Sequence, residues 1–363
     1  MKLREIIQRI DIQFPFLLQE EWDNSGLQIG DPEADILSIM LALDPSIQAI
    51  AQAATEKCNL LITHHPLFFQ PVRSLVFDNP ARCKVRDLVS SGTALLALHT
   101  NVDSGHGGIN DYLSALLGLE NTVPLLPSHE KLFKIVVFVP PDYADDLKDA
   151  LSQSGAATIG AYDKCFFSAA GEGCFRPGPG TNPFIVQQEE STVVAEVRLE
   201  TICRERFLHK SLSAMIKSHP YEEPAYDFFQ LSNRSEIDGI GRYGTLAAPC
   251  SAETICSKLS AGPGAILSPA PERMISRVAV CGGAADRKIV QACISKKSEL
   301  LVCGEIRYHD SLELTENGIA VISLGHRSSE ICFIPVISRV LSGFFQGPVI
   351  NCSETAEGRC LKN

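Results

Sequence analysis

The chain has 363 residues, a formal charge of −11, and 45% hydrophobic against 21% charged residues. That length allows two or three domains, and that apolar content excludes a disordered chain. The acidic balance argues against non-specific binding to DNA, RNA or an anionic membrane, which requires a basic surface, although a local basic pocket for one phosphorylated small molecule is compatible with it. Thirteen cysteines occur without a Cys-x-x-Cys pair. Several stand in apolar runs (VAVCGG, LLVCGE, EICFIP), which predicts reduced thiols in an intracellular protein. The N-terminus MKLREIIQRIDIQF is too charged for a signal peptide, and no stretch approaches the ~18 apolar residues of a membrane span. A cytoplasmic protein is expected.

In chain order, Lys2 to about Glu21 shows helical spacing in Ile6, Ile7, Ile10 and later Leu17 and Leu18, and leads into the turn-rich EEWDNSGLQIGD around the only tryptophan, Trp22. SIMLALD reads as a strand, PSIQAIAQAATEKC as a helix and NLLITHH as a strand. PARCKVRDLVSSG then reads as a helix, TALLALHTNVD as a strand and GGINDYLSALLG as a helix. This alternation predicts parallel α/β units. The middle departs from it. KIVVFVPP is a strand, DYADDLKDALSQSG a helix and GEGCFRPGPGTNPF a long Gly/Pro loop. STVVAEVRLETI, RERFLHKSLSAMIKSH and AYDFFQL follow as strand, helix and strand. Three strands and two helices are read here, and the segment is assigned the ferredoxin-like βαββαβ order with one strand unaccounted for. Towards the C-terminus, SRVAVCGG, AADRKIVQACISKKS, ELLVCGE, HDSLELTENG, IAVISLG and SEICFIPVISRVLSG return to strand and helix in alternation. Residues 38–59 and 276–299 run nearly in step. The predicted fold class is therefore α/β, with two pseudo-repeated lobes, 1–128 and 237–363, forming one discontinuous domain around an inserted α+β domain, 129–236.

Ligand-type side chains gather at predicted strand exits, where open α/β sheets place their sites. His64 and His65 end one strand, His99 and Asp103 follow another, and His326 with Glu330 follows a third; the last two are i and i+4 on a helix start, so both can face one point. Each piece has a plainer reading: an incidental histidine pair, a helix-capping Asp103, a surface pair at 326 and 330. Five such residues at matching exits are hard to explain by packing. Imidazole with carboxylate suits zinc, iron, manganese or cobalt. Neighbours on a regular strand point to opposite faces, so His64 and His65 serve one ion only if the chain turns sharply, or else serve two. Five ligands exceed the set of one catalytic zinc. Two divalent ions per chain sharing a carboxylate fit better, and would acidify a bridging water for hydrolysis.

EEWDNSGLQIGD, LLITHHPLFF, LHTNVDSG, GIGRYG, CGEIRYHD and GHRSSE, in this order, resemble the motifs of the GTP cyclohydrolase I type 2 family, also called NGG-interacting-factor-three-like, over essentially the whole chain. The resemblance implies His64, His65, Asp103, His326 and Glu330 as ligands of two divalent metals, with Glu330 bridging. It implies His99 and Glu305 as supporting residues around the metals, and His309 and His106, beside Glu330, as candidates for proton transfer. For His106 an exposed loop histidine, and for His309 a helix cap, are the alternatives. Cys303 stands where the family usually has threonine. GAYDKCFFSAAGEGCFRPGPGTNPF and HPYEEPAYDF resemble the PII-like or CutA-like insert of longer bacterial members. Those members resemble toroidal hexamers, trimers of dimers, with metal sites facing an internal cavity. The function implied is hydrolysis of a nucleotide-like or heterocyclic C–N bond by metal hydroxide, with GTP imidazole opening and formate release as the named case. A phosphoesterase, or a metal- or nucleotide-sensing scaffold without turnover, are the alternatives. No organic cofactor is expected: GIGRYG matches GxGxxG but neither follows a strand nor opens a helix, and a GxxxxGK sequence is absent. HPYEEPAYD tempts a second metal assignment, but two prolines among aromatics read as a rigid packed corner.

Overall fold

Short, almost wholly apolar runs set the first sheet. Ile39–Ala42, Leu60–Thr63 and Ala94–Ala97 are buried at every position, as parallel strands covered on both faces must be. They pair in parallel, Ile39 opposite Leu60 and Leu60 opposite Ala94. The crossover helices Ile47–Thr55 and Pro80–Ser91 start where sequence chemistry says they should: Ser46 and Asn79 accept the backbone N–H of Ala49 and Arg82. The second helix stops at Gly92, whose φ of +67° suits glycine. The structure is a computed structural model and describes residues 1–178, 180–185, 191–234, 237–259, 265–267 and 273–353. Two compact units are distinguishable, one formed by 1–128 with 236–363 and the other by 129–235.

In the first unit, Ile275–Ala285, Leu300–Ile306 and Ala320–Ser323 repeat the three-strand parallel arrangement, with Arg287–Ser295 and Tyr308–Glu316 as crossovers. In each half the third strand is followed by a five-residue helix and then a longer one: Thr100–Ser104 with Ile109–Leu117, and His326–Glu330 with Phe333–Ser342. The halves also exchange edge strands. Val349–Asn351 joins the first sheet beside Ile39–Ala42. Leu119–Pro127 joins the second, antiparallel to Gly239–Cys250. Alternate strand residues divide between cores. Ile39, Leu41, Leu60, Ile62, Val278, Val280, Leu300 and Val302 face one cluster shared by both sheets and the helices between them. Met40, Leu61 and Leu95 pack under the outer helices of the first sheet, and Ala279, Leu301 and Cys303 under those of the second. Cys303, in the position where threonine was expected, is thus a core residue on the helix-covered face.

The second unit is a four-stranded antiparallel sheet in the order Phe166–Phe175, Thr192–Arg204, Lys131–Val139, Tyr226–Arg234. Helices Ala144–Ser154 and Leu208–Ser218 cover it, around Ile135, Val137, Leu147, Leu151 and Met215.

Several local expectations are corrected. The first helix ends at Gln13, because Pro15 drives Phe14 out of the helical region; Phe16–Leu18 is a separate 3-10 turn. GEGCF, read as loop, completes the strand Phe166–Phe175, and the Gly/Pro loop begins only after it. At Gly173 the missing Cβ leaves room for the Glu196 side chain, whose Oε2 would lie 2.3 Å from it. GIGRYG opens the strand Gly239–Cys250. Among the described residues no helix is long and apolar enough to cross a membrane, and the cysteines there are free.

One buried ion pair ties this strand to the first half. Arg242, 2% exposed, grips Asp111 through Nε and Nη2 at 2.6 and 2.8 Å, and donates to the carbonyls of Gly239, Gly241 and Gly105. Truncating it removes the buried positive charge facing Asp111 and the donors to the Gly239 and Gly241 carbonyls. Arg242→Ala is expected to lose about 3–5 kcal/mol of stability, read as a fall in the urea-unfolding midpoint. A loss no larger than the ~1 kcal/mol of a surface pair would remove Arg242 from this role.

Candidate metal centre

The backbone answers why two histidines end a strand. The N–H groups of His64 and His65 both donate to the Leu43 carbonyl, at 3.1 and 3.0 Å, and Thr63 Oγ1 donates to the His65 carbonyl. The chain therefore turns sharply as it leaves the sheet. The two rings, instead of taking opposite faces, lie with centroids 5.0 Å apart.

Four imidazoles share one feature. His64 Nδ1 meets the Leu98 carbonyl at 2.9 Å, His65 Nδ1 meets Asp44 Oδ1 at 2.7 Å, and His99 Nδ1 meets Asp23 Oδ1 at 2.7 Å. His326 Nδ1 meets Glu305 Oε1 at 3.2 Å. Each partner is an acceptor, so Nδ1 carries the proton and Nε2 presents a bare lone pair, the arrangement that second-shell oxygens impose on metal-binding histidine. Two overlapping sets of ligand atoms result, His64 with His65 and His99, and His65 with His326 and Glu330. Within each set all atoms lie within 4.8 Å of one another.

Glu330 connects the sets. Its Oε1 lies 3.7 Å from His64 Nε2, and its Oε2 lies 3.1 Å from both His65 Nε2 and His326 Nε2. Asp103 Oδ1 is 3.8 Å from His64 Nε2. Despite these approaches, Glu330 Oε2, His64 Nε2 and Asp103 Oδ1 are buried without a hydrogen-bond partner. An orphaned buried polar atom costs about 1–3 kcal/mol, and three at one spot are what a cation would satisfy. The donor set, nitrogen and carboxylate oxygen, fits a divalent transition metal.

Charge balance leads the same way. Burial, reinforced by the charge of Glu330 and opposed by His64, pushes the Asp103 carboxyl up to about 7. Burial also acts to raise Glu330, but its contacts with His326, His64 and His65 hold it well below the usual carboxylate range. His65 is lifted to about 10: burial opposes this, and Asp44 and Glu330 overcome it. His326 is lifted to about 9, chiefly by Glu330. Buried carboxylates here demand positive charge, supplied either by protons on imidazole or by bound cations.

Two glycines clear space for the helix that carries Glu330. A Cβ on Gly283 would fall 2.3 Å from Glu330 Oε1, and one on Gly304 would fall 2.4 Å from Ser329 Oγ. Ser329 Oγ in turn accepts the Gly283 N–H at 2.9 Å. The glycines of CGG and CGE are thus backs of the site. Glu305, next in line, holds His326.

Of the sequence candidates, His64, His65, Asp103, His326, Glu330, His99 and Glu305 come together. His106 and His309 do not. The His106 side chain is 71% exposed, 3.7 Å from Asp111 Oδ2, and His309 is exposed in a helical first turn against Tyr308. Asp23 and Asp44 were not anticipated. Asp44 ends the SIMLALD strand, a fourth exit whose polar residue was available to be read; Asp23 lies in the WDN turn, where no periodicity marks it. His99 contributes a ligand atom and has a signal too: His99 and Asp103 are i and i+4 around one short helix, as His326 and Glu330 are around the other. Beside His99 stand Trp22 and Phe69, each edge-on at 5.8 Å and 29° from parallel to one another. They border a cleft of about 1060 Å³ that also reaches Asp23, Gln28 and Arg73.

The HPYEEP segment is a corner and not a second centre. His219 Nε2 donates to the Phe138 carbonyl and Nδ1 accepts the Tyr221 N–H, so neither nitrogen is free for a metal.

Comparison with known proteins agrees with these features. The sequence profile of Duf34/NIF3 (NGG1p interacting factor 3) matches residues 1–356. The GTP cyclohydrolase 1 type 2 homolog of Halalkalibacterium halodurans is 35% identical over 330 residues, 90% of this chain and 88% of the relative. That of Bacillus subtilis is 34% identical over 333 residues, 90% and 89%. A crystal structure of a Bacillus cereus protein related to NIF3 superposes with a TM-score of 0.87 at 30% identity, covering 98% of both chains. With a profile match spanning nearly its whole length and relatives above 30% identity over nine-tenths of it, the chain belongs to the Duf34/NIF3 family.

Proposed function

We propose that the protein is a dinuclear metal-dependent hydrolase acting on a C–N bond of a nucleotide or related heterocycle, with opening of the GTP imidazole ring and release of formate as the leading case. The observation that carries this reading is the convergence of four Nε2 lone pairs and two buried carboxylates, three of their atoms orphaned, on one spot. His64, His99 and Asp103 would hold one ion and His65 with His326 the other, each set facing a different oxygen of Glu330. Bound there, a pair of divalent ions (zinc, iron, manganese or cobalt) supplies Lewis-acid polarisation and an acidified water. The chain's own residues do the rest. Asp44, Asp23 and Glu305 fix the imidazole tautomers. The faces of Trp22 and Phe69 can stack on a flat base beside His99, with Arg73 across the cleft available to a phosphate. His106 and His309, exposed and outside the cluster, are given no part in the reaction. The name borne by the Halalkalibacterium and Bacillus relatives supports the substrate class.

The βαββαβ order of 129–235 is that of ferredoxin-like domains, and we read it as a PII/CutA-like insert between the lobes 1–128 and 237–363. Free cysteines suit a reducing cytoplasm. The exposed apolar run Phe69, Val72, Leu75, Val76 and Phe77 supports burial between copies, and a homohexamer is the assembly proposed.

Protein purified without chelator is expected to carry about two equivalents of divalent transition metal per chain. Elemental analysis giving less than about one equivalent would overturn the centre. Asp44→Asn, which removes only the partner of His65 Nδ1, should weaken metal affinity about 10–100-fold in competition with a chelating dye.

Metal-loaded protein should release formate from GTP. His65→Ala with Glu330→Ala should abolish this while circular dichroism stays unchanged. Phosphate instead of formate would make the protein a phosphoesterase. Full metal without turnover of any nucleotide would leave a metal-holding scaffold. Light scattering during gel filtration should give the mass of six chains; a monomer would refute the hexamer.

A further inference from the structure

The unit formed by 129–235 has a cavity of its own, about 450 Å³, which shares no residue with the metal cluster. Aromatic rings form its walls. Phe175 and Phe184 lie with centroids 6.4 Å from that of Tyr221, Tyr143 stands edge-on to Phe184 at 5.5 Å, and Phe138 closes the lining. Tyr221 is fixed by the corner that follows Leu208–Ser218: its N–H is held at 3.1 Å by His219 Nδ1, whose Nε2 is spent on the Phe138 carbonyl. Burial keeps that imidazole neutral by lowering its pKa. The Tyr221 hydroxyl is buried beside the Glu196 carboxylate, without a hydrogen bond of normal geometry. Burial and the neighbouring Glu196 carboxylate push the phenol up to about 12, so it stays a neutral donor and acceptor. Gly173, opposite on the paired strand, has no Cβ because one would strike the Glu196 carboxylate, which leaves that carboxylate room in the lining. The remaining charges are Glu172, Glu222 and Glu223 against a single Arg176.

This constellation disfavours an anion, which would meet four carboxylates and one guanidinium. It also lacks three ligand atoms close enough to clasp one metal ion, since the groups that meet that criterion among the described residues are those of the metal centre. Aromatic walls with carboxylates and an unspent hydroxyl are instead the chemistry that recognises an organic cation. We propose that this cavity is a binding site for a small organic cation of the amidinium or ammonium class, its N–H groups meeting Glu196 and the Tyr221 oxygen and its body packed against the rings of Phe175 and Phe184.

Benzamidine is the probe, with benzamide and benzoate as neutral and anionic analogues of the same shape, titrated calorimetrically into the full chain. Benzamidine should saturate a single site per chain, and both analogues should bind at least about tenfold more weakly. Glu196→Gln and Tyr221→Phe, each close in size to the native residue, should weaken benzamidine about tenfold with circular dichroism and metal content unchanged. Benzamide binding as tightly as benzamidine, binding that survives Glu196→Gln, or no saturation in the millimolar range would each overturn the assignment. If Glu196→Gln fails to fold, Tyr221→Phe and the analogue series still decide it.

Discussion

Two buried carboxylates that must be met by positive charge govern the first unit. Glu330 and Asp103, 3% and 8% exposed, sit within reach of the same imidazole nitrogen. Taking such groups out of water costs several kcal/mol each unless something compensates. The surroundings are organised around that demand. The short helix His326–Glu330 is admitted by Gly283 and Gly304, positions where a single methyl group would collide with it. The lone pairs of four histidines are aimed inward by oxygens behind them. Nothing in ordinary core packing calls for this; a bare core would have filled the same volume with leucine.

The doubled architecture explains how one chain gathers so many ligands. Each half ends its third parallel strand in a short helix with histidine at its start and a carboxylate four residues on. Bringing the halves together opposes two like sets, so the site has two similar faces. Exchange of edge strands, Val349–Asn351 one way and Leu119–Pro127 the other, makes each sheet depend on both halves. Arg242 adds a buried clamp across the same junction. Ligand atoms contributed by separate segments need such rigidity, because loss of even 1 Å in position would dissolve a coordination sphere.

What the amino-acid pattern revealed, and what it hid, follows from physics at particular residues. LLITHH was legible because an apolar run buried on both faces cannot end in two imidazoles without cause, and His326 with Glu330 because helical spacing of four is unambiguous. The backs of the histidines were not legible. Asp23 and Asp44 reach the Nδ1 atoms of His99 and His65 across 76 and 21 residues, and no local periodicity records such a pairing. His99 was read as support although its spacing to Asp103 duplicates that of His326 to Glu330. GEGCF concealed a strand because glycine and proline usually break one, whereas here both glycines sit in a paired strand, Gly171 opposite Glu196 and Gly173 opposite Val194. Leu17 and Leu18 continued a helical rhythm that Pro15 had already interrupted.

Accessibility separates a structural centre from a working one. A structural metal site is closed, with every coordination position taken by protein, whereas a catalytic site keeps one side open. Here the inner wall is sealed: the His64 side chain is fully buried and that of Glu330 is 4% exposed. The outer wall is not, since the His326 side chain is 39% exposed and His99 adjoins the aromatic cleft of Trp22 and Phe69. A centre serving only to hold the halves together would have no use for that asymmetry, because the exchanged strands and Arg242 already join them. An open flank lined by rings next to acid-held imidazoles is what the proposed chemistry on a flat, polar substrate would use.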